Sequence, residues 1–261
     1  MTRVDNELPF FFGHDHELFG IHHAASHPGG RAVLLCAPLG QDYIRCHRLY
    51  RQLAVALAAE GHSTLRFDYY GCGDSAGDSD EVDWHRCLAD TVVAANELRA
   101  RSGADQVLAF GARLGGSLAL AAASAANFDD VVVWDPIIDG QAHAATLDAL
   151  QDAMRQDTKR FVRPRASEEA AGQWLGFPVN TLLRQQIAGL RAGWSAVPSL
   201  LLDSLASAKA SDWRELAIRD AHVAPIEPAT PWDELSHLET AILCHPLVHA
   251  VVAHWREHAY A

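Results

Sequence analysis

The chain has 261 residues, 49% of them hydrophobic, and a formal net charge of −12. That composition supplies one large buried core and excludes a disordered or fibrous class, while the acidity and the lack of a basic cluster exclude nucleic acid as a partner. Five cysteines, Cys36, Cys46, Cys72, Cys87 and Cys244, form no C-x-x-C pair, which argues against a disulfide framework or zinc ribbon and for a reducing compartment.

The acidic first segment, Met1 to Phe12, does not read as a signal peptide. Pro9–Phe12 and Leu18–Ile21 predict a short hairpin. Arg31–Cys36 is a continuous apolar run stopped by Pro38 and Gly40, the pattern of a buried parallel strand. A helix is expected from Arg45 to Glu60, with Leu49, Leu53, Leu57 and Ala58 on one face and Gly61 as its stop. Then come a strand at Ser63–Asp68, a glycine-rich loop at Tyr70–Gly77 and a helix at Trp84–Ser102. Val107–Ala126 is the longest apolar stretch, but Gly111, Arg113, Gly115 and Gly116 interrupt it. It therefore reads as a strand at Gln106–Phe110 and a helix at Leu114–Ala126, with no membrane span. Asp130–Trp134 is a further strand.

This alternation of strand and helix predicts an α/β class with a doubly wound, mostly parallel sheet and helices on both faces. Gly140 to Ala196 carries helical segments and no convincing strand, so residues 140–196 are expected to be a helical cap. The cap would be inserted between a first core part, residues 1–139, and a second, residues 197–261. Val197–Asp203 resumes the sheet. Ala221–Ile226 follows, demoted to an edge by Pro225, and Pro246 opens a last helix at Leu247–His258. The expected location is the cytoplasm.

Three segments carry a resemblance: Cys36-Ala-Pro-Leu-Gly-Gln-Asp-Tyr-Ile-Arg45, Phe67-Asp-Tyr-Tyr-Gly-Cys-Gly-Asp-Ser-Ala-Gly77, and Phe110-Gly-Ala-Arg-Leu-Gly-Gly116. Together they resemble the serine aminopeptidase and monoacylglycerol-lipase branch of the α/β-hydrolases, and most nearly the hydrolases associated with exosortase systems and exopolysaccharide genes. The resemblance implies the α/β-hydrolase fold with a cap, and acyl-enzyme chemistry at a G-x-S-x-G elbow. There a sharp strand-to-helix turn lifts the central side chain above the sheet. Here Gly111 and Gly115 stand in place and Arg113 occupies the apex. Arginine stays protonated in proteins and is no nucleophile. Ser117, one helical turn on, would face along its helix.

By the same resemblance the backbone N–H groups of Leu39 and Leu114 form the anion hole, and Leu39, Gly40, Gln41, Leu114 and Trp174 are candidate substrate-binding residues. His237 fits the loop that holds the family's histidine, with His245 second, and Asp212 stands late for the acid. Asp135 follows a strand directly. It is read either as a partner of Arg113 in the crevice or as a turn residue before Pro136. The catalytic candidates are therefore Arg113, Asp135 and His237.

Gly71–Ala76 matches a dinucleotide fingerprint, but no acidic residue ends the next strand, and a nucleotide role is rejected. Cys36 and Cys72 read as small buried apolar groups. His14-Asp15-His16 and His22-His23 read as solvated surface and not as a metal site. Neither a cofactor nor a metal is expected. Trp174, Leu175, Phe177 and Trp194 are expected to form the cap's packing face and an apolar pocket wall.

Three functions follow. The first is an enzyme using non-serine chemistry (isomerase, lyase or acyl transfer) on an anionic or acyl small molecule held by Arg113. The second is a non-catalytic pseudo-hydrolase that binds or scaffolds. The third is a conventional ester or thioester hydrolase with a relocated nucleophile.

Overall fold

The computed structural model describes residues 7–27, 30–161, 163, 172–194, 196–205 and 221–257. Six-residue strands β1 (Glu7–Phe12) and β2 (Leu18–His23) form an antiparallel hairpin. Strand β3 (Arg31–Cys36) is followed by helix α1 (Gln41–Ala59), β4 (Ser63–Phe67), α2 (Trp84–Ser102), β5 (Gln106–Ala112), α3 (Leu114–Ala122) and β6 (Asp130–Trp134). Between β6 and the next sheet strand stand α4 (Gly140–Gln156), the two-residue strands β7 (Gln173–Trp174) and β8 (Phe177–Pro178), and α5 (Thr181–Ala188). Strands β9 (Leu200–Asp203) and β10 (His222–Pro225) and helix α6 (His245–Glu257) complete the described elements.

Eight strands make one sheet in the order β1-β2-β4-β3-β5-β6-β9-β10. All pairings from β4 through to β10 are parallel, and β1 and β2 are antiparallel additions at one edge. The strands at the centre of the sheet are continuous apolar runs because helices cover both of their faces. The side chains of Val33, Leu34, Leu35, Val132, Val133 and Trp134 are wholly buried.

Chain direction fixes which face each helix takes. The path steps from β3 to β4 in one direction, then back across β3 to β5 and on to β6. Right-handed crossovers therefore put α1 on one face and α2 and α3 on the other. Helix α1 packs against α6, and α2 against α3. The reversal makes the gap between the carboxyl ends of β3 and β5 the switch point, where open α/β sheets bind ligands.

The local signals are physical. Asp83 caps α2 by accepting from the Arg86 N–H at 2.8 Å, and Gly103, at φ 65°, ends it. Asp139 caps α4 through the Gln141 and Ala142 N–H groups, and Asn180 caps α5 through that of Leu183. Two expectations need correction. Helix α1 starts at Gln41, four residues before the expected start, because its N-cap is Gly40 and no side chain announces it. The stretch after β6 contains the small hairpin β7–β8, so it is not purely helical. Pro225 lies in the edge strand β10, where a missing N–H is tolerated.

Candidate functional site

Two loops meet at the switch point. After β3 the chain runs Ala37-Pro38-Leu39-Gly40 into α1. After β5 it turns sharply at Arg113 into α3. Arg113 is the N-cap of α3 at φ 50°, ψ −127°, a strained conformation for a residue with a Cβ. The turn is this tight because its glycines leave room. A Cβ on Gly111 would lie 2.3 Å from the Gly115 carbonyl oxygen, and one on Gly115 would lie 2.3 Å from that of Cys36. The N–H of Arg113 donates to the Trp134 carbonyl at 3.0 Å.

The Arg113 side chain is buried and does not stand free. Its Nε donates to Asp42 Oδ2 at 3.3 Å and its Nη2 to Asp233 Oδ1 at 3.0 Å, and its guanidinium lies 5.2 Å from the centre of the Trp232 ring. Asp42 comes from the first turn of α1 and Asp233 from the loop before α6. A second buried arginine holds that loop: Arg45 on α1 donates to the carbonyls of Pro231 and Trp232, each at 2.8 Å, and of Thr240 at 3.3 Å. Gln41 reaches the Leu238 carbonyl of the same loop. Burial raises the pKa of Asp42, and Arg113 and Arg45 oppose that rise.

Asp135 is fully buried at φ 43° and does not contact Arg113. It accepts from the Ser204 N–H at 2.9 Å, the Ser204 hydroxyl at 2.5 Å and the Trp232 indole N–H at 2.7 Å. Asp135 thus makes no direct ion pair with Arg113, though that charge acts on its carboxyl; it satisfies donors from Ser204 and the Trp232 loop, and Asp42 and Asp233 take the guanidinium. Burial raises its pKa against these hydrogen bonds.

His237 is also corrected. It is exposed, its Nδ1 sits 3.0 Å from Glu234, and it lies outside the cavity lining. His245 is exposed at the start of α6. Asp212 lies outside the described residues. Ser117 is wholly buried and bonded to the Ile137 backbone at both its hydroxyl and its acceptor side.

Above the turn lies a cavity of about 210 Å³. Leu39, Gly40, Gln41, Leu114 and Trp174 all border it, and the sequence reading missed Asp42, Asp233 and His143. His143, on the first turn of α4, is buried and its pKa is pushed down to about 3, chiefly by burial and then by the Arg113 charge. Much of the remaining lining is apolar, with Leu147, Leu150, Leu175, Phe177 and Val179 prominent. Cys72 borders it with a thiol pushed up to about 12 by burial, so it stays protonated.

The glycine-rich loop is built to be a turn. Asp68 accepts from the Tyr43 hydroxyl and the Asp74 N–H, while the Ser75 hydroxyl donates to the Asp68 carbonyl and accepts from the Phe19 N–H. The N–H groups of Gly71, Cys72, Ser75 and Ala76 all bond to protein carbonyls, so the loop does not present the row of free donors a phosphate needs.

Elsewhere, Ser199 Oγ lies 2.8 Å from His254 Nε2, with Asp130 Oδ2 3.7 Å from that same nitrogen. A triad needs its acid on the opposite ring nitrogen. The cluster sits where β6 and β9 begin, at the far end of the sheet from Arg113. His22 and His23 are buried, against the expectation of solvated surface. Burial lowers the pKa of both, that of His23 to about 4.

The family described as serine aminopeptidase, S33, matches residues 43–171. No curated protein matches the chain. Among solved structures, Est1E from Butyrivibrio proteoclasticus is similar at a TM-score of 0.62 and 13% identity, covering 97% of this chain and 99% of that one. Alpha/beta hydrolase domain-containing protein 10 from mouse is similar at 0.56 and 15%, covering 96% and 97%. A lidless α/β serine hydrolase from Xanthomonas campestris is similar at 0.53 and 16%, covering 85% and 84%. With this sheet order, these helices and these matches, the chain has the α/β-hydrolase fold.

Proposed function

We propose that the chain is a non-hydrolysing member of the α/β-hydrolase superfamily that binds an apolar, acyl-type small molecule in the cavity above the β5–α3 turn. One observation carries this reading. Arg113 occupies the apex where a nucleophile would stand, and Asp42 and Asp233 hold it. A guanidinium neither attacks a carbonyl nor accepts a proton from one that does. In this reading residues 140–196 are a cap over the cavity, supplying His143, Leu147, Trp174 and Leu175, and Leu39 and Leu114 border the ligand's polar end.

Two features argue against the enzymatic alternatives. His143 is the histidine that borders the cavity, and an imidazole with a pKa near 3 is a poor general base at neutral pH. An anionic substrate paired with Arg113 is disfavoured because two carboxylates already neutralise it.

The test pairs two measurements on the purified protein. Fluorophosphonate labelling and turnover of 4-nitrophenyl butyrate are expected to be absent. Octanol titrated into the protein is expected to change the tryptophan fluorescence, since Trp174 and Trp232 border the cavity. Labelling at any serine would overturn the reading.

A further inference from the structure

We infer that the cavity selects a ligand with an uncharged hydrogen-bonding head, seated against His143, on a medium-length apolar chain, and that it rejects the matching carboxylate. This rests on the binding reading above and goes further by naming the head group.

His143 is 7% exposed and borders the cavity, and no hydrogen bond joins its ring to any described residue. Its ring nitrogens are not sealed inside the protein but reach the cavity space, where a bound head group can pair with them. The charges of Arg113 and Asp233 act on it, while Leu147, Trp174, Leu175 and Phe177 line the same cavity. A ligand head that hydrogen-bonds the imidazole takes up this open pairing site at the cavity wall. The ring is neutral across the physiological range, so it offers one donor and one acceptor and no charge.

The floor of the cavity decides the sign of the head. Among the described residues, Arg113 and Arg45 stand with Asp42 and Asp233. Arg113 is committed to both aspartates, and Arg45 spends its donors on the carbonyls of Pro231, Trp232 and Thr240. A third carboxylate would enter an apolar cavity beside two others and, among the described residues, meet no uncommitted cation there, a costly arrangement for a buried charge. An alcohol, amide or ester carbonyl meets no such penalty. The volume, about 210 Å³, lies below the roughly 300 Å³ at which drug-sized pockets begin, and suits a chain of medium length.

The experiment is calorimetric titration of 1-octanol and of octanoate at pH 7.5 into the wild type, His143→Phe and His143→Asn. Octanol is expected to bind at least about tenfold more tightly than octanoate. His143→Phe should weaken octanol about fivefold, the effect of one hydrogen bond, while His143→Asn retains most of the affinity. Octanoate binding as tightly as octanol overturns the inference on wild-type protein alone and leaves the cavity reading standing. So does undiminished octanol binding by folded His143→Phe. If neither ligand binds, the cavity reading falls and the inference with it.

Discussion

Arg113 reaches from the β5–α3 turn to Asp233, 3.0 Å away across 120 residues of sequence. With Asp42 on the other side of the guanidinium, this contact joins three chain segments, the elbow, the start of α1 and the loop before α6, at the carboxyl end of the sheet. The side chain is 6% exposed, so the pair is a buried one, for which losing one partner costs far more than the pair itself is worth.

Arg113→Ala therefore leaves Asp42 and Asp233 without their shared cation. The expected loss is about 3–5 kcal/mol at neutral pH, read as a large drop in melting temperature without ligand. A variant that also carries Asp42→Asn and Asp233→Asn should recover much of it, because the carboxylates that Arg113 offset are gone. An Arg113→Ala melt equal to wild type would show that the guanidinium is not held as its geometry implies.

Arg113→Ser puts a hydroxyl at the apex but does not make a serine hydrolase. The candidate histidine of the sequence, His237, is exposed and bonded to Glu234, and His143 is too weak a base. A serine without a positioned base is barely nucleophilic. Turnover of 4-nitrophenyl butyrate is expected to stay at the wild-type background. A gain of about a hundredfold or more would reveal a base that the geometry does not place there.

Asp135 gathers three donors, the Ser204 N–H, the Ser204 hydroxyl and the Trp232 indole. Asp135→Ala leaves these buried groups unpaired and should cost about 3 kcal/mol or more, at roughly 1–3 kcal/mol for each unsatisfied group. Asp135→Asn keeps one acceptor oxygen and tolerates the positive φ, but its NH2 meets either the Ser204 or the Trp232 N–H, so its loss should be about 1–3 kcal/mol, smaller than that of Asp135→Ala. Denaturant melts of the two variants separate these outcomes. Equal losses would mean that shape rather than hydrogen bonding matters there.

The sequence made the sheet legible and left the centre of the site hidden, and the physics of each explains why. Arg31–Cys36 and Asp130–Trp134 are short apolar runs bounded by breakers, a signal contained within a few residues. The elbow was legible because two glycines flank Arg113 at fixed spacing. Helix α3 ends at Ala122 and not at Ala126, since an alanine-rich run carries no stop signal until Asn127, at φ 49°. Asp42 and Asp233 join Arg113 only through tertiary packing, 71 and 120 residues apart, and no local pattern encodes that. His143 gave no signal because one histidine among 15 stands out only once its burial is known. Arg45 lay within a segment that carried the resemblance, yet its clamp on the Trp232 loop follows from the docking of α1 against that loop.

The buried imidazoles set the sign of the pH dependence. Burial pushes His143 from 6.5 down to about 3 and His23 from 6.5 down to about 4. The folded chain thus refuses protons that the unfolded chain accepts. The stability these groups contribute is complete above pH 6.5 and is lost as pH falls toward 4 and then 3. Each is expected to remove about 2 kcal/mol between pH 7.5 and pH 5. His22 and His62, also lowered chiefly by burial, act in the same direction. Asp42, Asp68, Asp90 and Asp135 act oppositely, because burial raises their pKa values and the folded chain gains protons ahead of the unfolded one as pH falls. A single variant separates the contributions. His143→Phe removes one buried imidazole and no carboxyl, so its melting temperature should fall less than that of wild type between pH 7.5 and pH 5, by the equivalent of about 2 kcal/mol. Parallel curves for the two proteins would mean that His143 accepts its proton as readily folded as unfolded, contrary to its burial beside Arg113.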